Sequence, residues 1–92
     1  MTDKIKGMLG LANRAGKLIK GEQMVLDAIR SGKARIVLVA EDASDNTKKL
    51  FSDKCSYYGV AEYVYGSKSD FGHASMAICD RNFSDAVRKL LK

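Results

Sequence analysis

The sequence predicts an α/β protein, a three-layer α/β/α sandwich around a four-stranded sheet. Helix-like and strand-like segments alternate along the chain, the order that produces layered α/β architectures. Ile36, Val37, Leu38, Val39 and Ala40 run without a polar break, as a strand covered by helices on both faces requires. Just before them, Met24, Val25, Ala28 and Ile29 recur on one helical face and Gly32 supplies a stop.

Ile5, Met8, Leu9 and Ala12 repeat at helical spacing, so a first helix is predicted over residues 3–15, ended by Gly16. Residues 17–20 form a short extended piece with lysines at its ends. The second helix and the apolar strand follow. Ser44 is placed to cap a third helix, with Thr47, Leu50, Phe51, Cys55 and Tyr58 on its buried face and Gly59 at its end. Glu62, Tyr63, Val64 and Tyr65 suit a strand. Gly66 breaks it, and Ser67 with Asp70 reads as a capping box opening a short helix. Met76, Ala77, Ile78 and Cys79 form a last apolar strand. The final helix has Phe83, Ala86, Val87, Leu90 and Leu91 on one face, with Asn82 and Asp85 predicted as its cap.

Ninety-two residues suit one domain with one core, and no internal repeat or linker divides them. The net charge of +5 points to a polyanionic partner. Residues 1–35 hold eight Lys or Arg against three acids, residues 36–66 three against five, and residues 67–92 five against three. The cationic excess therefore belongs to the front of the chain. Cys55 and Cys79 form no metal-type pairing and are read as buried thiols in a reducing cytoplasm. No signal peptide or transmembrane run is seen.

Catalytic chemistry finds little support. His73, the single histidine, has no nucleophile beside it in a motif, and no cluster of metal ligands exists. Gly7, Gly10 and Gly16 do not follow a strand, so they form no dinucleotide or phosphate loop. Glu41 and Asp42 read as a solvated turn. No enzyme activity, cofactor, metal or small-molecule substrate is expected. The start of the second helix is a better candidate. Lys20, Gly21, Glu22 and Gln23 put a cation, a glycine and two polar side chains where free N–H groups and the positive dipole end point outward. Such a helix start can accept a phosphate or a base edge.

Four stretches taken together resemble the bacterial branch of the ribosomal L7Ae/L30e family. They are residues 11–17 (LANRAGK), the glycine-led helix 21–32, residues 36–43 (IVLVAEDA), and Ser67 and Lys68 with Gly72, His73 and Ala74. The resemblance spans nearly the whole chain. It implies a mixed sheet and a non-enzymatic RNA-binding protein of the ribosomal type, with ribosomal RNA among its candidate partners. Relatives bind the kink-turn, a sharp RNA bend flanked by sheared G·A pairs. Carried over by position, it implies that Lys20, Gly21, Glu22, Gln23 and Met24 face the groove. Lys17 and Lys68, with Arg14, would meet phosphates. Phe71, Gly72 and His73 would wall an unstacked base. Met24, Asp27 and Ser44 depart from the usual residues, and the segment after Ala74 is short. Met24, Asp27 and the short segment favour the alternative, a protein-interaction module on the same fold with weak or lost RNA binding. The expected state is a cytoplasmic monomer without membrane contact.

Overall fold

The computed structural model describes residues 3–91. The elements are α1 (Asp3–Arg14), β1 (Leu18–Lys20), α2 (Glu22–Arg30), β2 (Ile36–Val39), α3 (Asp45–Tyr58), β3 (Ala61–Val64), α4 (Lys68–Phe71), β4 (Ser75–Ile78) and α5 (Arg81–Leu91). The order is the predicted one. The four strands lie in the order β1-β4-β2-β3. β4 is antiparallel to both neighbours, pairing Lys20 with Met76 on one side and Val39 with Ser75 on the other. β2 and β3 are parallel, with Val39 opposite Val64. The sheet is therefore mixed.

α1 and α5 pack together on one face, while α2 and α3 pack together on the other. β2 lies between these layers and every residue of it is buried, which explains its unbroken apolar run. Ile5, Val25, Ile29, Phe51, Ile78 and Val87 join it in one continuous core.

Three local expectations are corrected. Met24 leaves the buried face of α2 and is 58% exposed, and Leu26 takes its place in the core. The α2 axis is rotated so that residues 25, 26, 28 and 29 face inward. Tyr58 is also exposed, because the last turn of α3 carries it outward, where it meets Tyr57 edge to face at 4.9 Å. The cap of α5 is Asp80, whose Oδ2 accepts from the Phe83 N–H at 3.0 Å. Asn82 and Asp85 lie within the helix. Among the described residues no helix is long and apolar enough to cross a membrane.

Candidate nucleic-acid interface

The pairing registers put the carboxyl ends of β1, β2 and β3 and the start of β4 at one end of the sheet. Long-range hydrogen bonds hold the segments that leave it. The Gly21 N–H donates to the Ser75 carbonyl at 3.2 Å, Ala40 to Ala74 at 2.9 Å, and Glu41 to Gly66 at 2.8 Å. The Lys68 N–H donates to Asp42 Oδ1 at 2.8 Å, tying the turn after β2 to the start of α4. The turn before α4 needs a glycine. Gly66 has φ 73°, and a Cβ there would stand 2.9 Å from Cζ of Phe71.

Three helices start at this end, and they start differently. α3 is capped by Ser44, whose hydroxyl accepts from the Thr47 N–H at 3.1 Å. α4 has the full predicted capping box between Ser67 and Asp70. α2 starts on Gly21, at φ 97° and ψ 149°, with no side-chain cap. Its first intrahelical bond runs from the Val25 N–H to the Gly21 carbonyl. The N–H groups of Glu22, Gln23 and Met24 precede that bond and lie on exposed residues. A Cβ on Gly21 would come within 4.0 Å of His73 Nδ1. The start of α2 and the loop between α4 and β4 thus adjoin, although 52 positions separate the two residues.

The charges are mixed. Lys20, Lys68 and Lys6 are exposed here. Lys6 Nζ lies 3.6 Å from Asp70 Oδ1. The hydrogen bond from the Ser67 hydroxyl, aided by the Lys6 charge, holds the Asp70 carboxyl below the usual carboxylate range. On α2, Gln23 Nε2 donates to Asp27 Oδ1 at 3.0 Å, and Arg30 approaches the same oxygen at 3.6 Å. Gln23 is therefore turned along the helix towards Asp27. A groove of about 340 Å³ borders the corner, with Leu18, Phe71 and Met76 among its lining residues and Lys6, Lys20 and Asp70 beside them.

Of the residues singled out from sequence, the fold brings Lys20, Gly21, Glu22, Gln23, Met24, Lys68, Gly72 and His73 to this end. Two do not fit. Lys17 precedes β1, and its carbonyl accepts from the Cys79 N–H beyond the opposite end of β4. An extended chain puts it roughly 10 Å from Lys20, at the far end of the sheet. Phe71 is buried, 7% exposed, because its ring fills the space that Gly66 leaves open. It supports the loop from below and does not wall an exposed base. Two residues were missed. Lys6 reaches the corner only because α1 runs back along the sheet. Asp42 is exposed, as expected of a solvated turn, and it also orients the start of α4. A partner 26 positions away leaves no local signal.

The model of the ribosomal protein L7Ae/L30e/S12e/Gadd45 family matches residues 3–83. The chain belongs to this family. It is 40% identical over 91 residues to the RNA-binding protein YlxQ of Bacillus subtilis (strain 168), an alignment that covers 91% of each chain. A solved protein of unknown function from Bacillus halodurans is similar over 98% of both chains, with a TM-score of 0.93 and 31% identity. The 15.5kD RNA binding protein of Giardia lamblia shares the fold, at a TM-score of 0.79 and 19% identity. That similarity covers 96% of this chain and 82% of the other. The family and relative names denote RNA-binding, ribosomal-type proteins and not enzymes.

Proposed function

We propose that this chain is a non-enzymatic RNA-binding protein, acting as one cytoplasmic, monomeric domain. It recognises kink-turn-like RNA through the start of α2 and the loop before β4. The observation that carries this reading is the uncapped, glycine-led start of α2 beside His73, whose Nδ1 a Cβ on Gly21 would meet at 4.0 Å. Unused N–H donors, a missing side chain and adjacent cations suit close approach of an RNA backbone or base edge. Lys20, Lys68 and Lys6 contact phosphates and set the position, while Gln23 and the α2 amides read the G·A pairs. Gly72 and His73 lie beside the unstacked nucleotide. The family relationship and the name of the Bacillus relative support the RNA class.

The test is an electrophoretic mobility shift with a kink-turn RNA and with a copy lacking the G·A pairs. Binding of the first alone is the expected result. Equal binding of both, or of neither, defeats it. Three lysine contacts give a slope of log affinity against log salt of about −2 to −3.

A second reading, a protein-interaction module with lost RNA binding, draws on the Gln23 to Asp27 hydrogen bond and on exposed Met24. Asp27 occupies the amide that would read a base and adds a charge that repels phosphate. Failure with every RNA while a protein partner is retained would favour it.

A further inference from the structure

The opposite end of the sheet has its own concentration of cations. Arg35 leads into β2, and its N–H donates to the Ile78 carbonyl at 2.8 Å. Arg81 and Arg88 stand two turns apart on one side of α5. With Ser84 and Asp85, these three arginines border a depression of about 380 Å³. Lys17 and Lys33 lie at the same end. Burial pushes the Cys79 thiol up, while the charges of Lys33 and then Lys17 act in the opposite sense. Two acids, Asp80 and Asp85, lie among these cations. Asp80 is used as the α5 cap. Asp85 faces Arg81 at 4.0 Å, with both side chains mostly exposed, so water screens that pair. Arg88 supplies the sharpest observation. Its Nε is buried and has no hydrogen-bond partner among the described residues. A buried guanidinium donor without an acceptor is costly, and a phosphate offers the paired acceptors that its planar fork fits.

We propose that this depression is a phosphate-binding site, distinct from the corner at the start of α2. It takes a phosphate group either free or within a nucleic-acid backbone. Arg35, Arg81 and Arg88, which border the depression, supply the charge that holds it. The site does not depend on the function proposed for the α2 corner.

Amide and arginine NMR spectra of the full chain, titrated with pyrophosphate, test this directly. Saturable shifts are expected at Arg35, Ser84, Asp85 and the Arg88 Nε–H. The double variant Arg35→Gln/Arg81→Gln changes exposed side chains, so it should fold unaltered and weaken binding by about tenfold or more. A Gly21→Ala variant retains pyrophosphate binding, so a defect at the α2 corner can be told from a defect here. Competition by an unkinked RNA duplex identifies the nucleic-acid backbone as the source of the phosphate. Lack of competition identifies a free anion. The proposal is overturned if millimolar pyrophosphate gives no saturable shift, or if the double variant binds as the parent does.

Discussion

α2 and α4 both begin at the same end of one sheet, yet their starts are built in different ways. At α4, Ser67 and Asp70 satisfy each other's backbone donors, and Asp42 takes the Lys68 N–H. At α2, Gly21 supplies no side chain, and the donors that follow have no side-chain cap. A side-chain cap is worth about 1 kcal/mol over alanine but only a few tenths over glycine, so the glycine start of α2 gives up little stability. The contrast is what the proposed RNA contact at α2 rests on: one start is closed by side chains and the other is not.

The strongest way to break this comparison is at Gly21. Its φ of 97° lies where other residues are strained. Gly21→Val should cost about 1–3 kcal/mol of stability. It should also abolish kink-turn binding, because the branched side chain stands over the open amides. Thermal melts and mobility shifts would report both effects. Retained affinity would show that RNA does not approach this backbone.

Ser67→Ala should behave in the opposite way, losing about 1 kcal/mol in denaturant unfolding. Its preference for kinked over plain RNA should stay at the parent's level. A loss of that preference would erase the distinction between the two helix starts.

Smaller effects sharpen the α2 side. Gln23→Ala removes a surface hydrogen bond to Asp27, worth about 0.2–0.5 kcal/mol in stability. It should reduce discrimination against RNA lacking G·A pairs, as measured by paired titrations. Lys68→Ala should weaken kinked and plain RNA alike and reduce the salt slope by about 1.

The smallest expected effect is at Glu62, away from both helix starts. Burial raises its carboxyl above the usual glutamate range, and its Oε2 has no hydrogen-bond partner among the described residues. An acid whose folded pKa is raised contributes stability below its unfolded pKa and loses it as the pH rises through the folded value. Glu62→Gln should therefore raise the melting temperature at neutral pH. That gain should vanish in acid below the usual glutamate range, where the parent is already neutral. An equal gain at both pH values would mean that charge is not the cause.

Local chemistry made much of this molecule readable in advance. The unbroken apolar run at Ile36 located the buried strand, and Ser44, Ser67 and Asp70 marked two helix starts where the structure has them. Gly21 marked the third. These signals lie within a few residues of what they control, so periodicity and capping chemistry are enough to find them. The α5 cap was misread for a related reason. Asp80, Asn82 and Asp85 can each cap in principle, and only the observed Asp80 to Phe83 bond chooses among them.

The residues themselves determined the alternation of elements, the glycine-led start of α2 and the cationic bias of the front of the chain. Only the tertiary structure decided at which end of the sheet each cation lies. Lys17 and Lys20 are close in sequence, but β1 carries them to opposite ends, while α1 returns Lys6 to the corner beside Asp70. A strand separates its own ends by its length. Antiparallel pairing and helix packing rejoin residues far apart in sequence, and nothing local encodes the result.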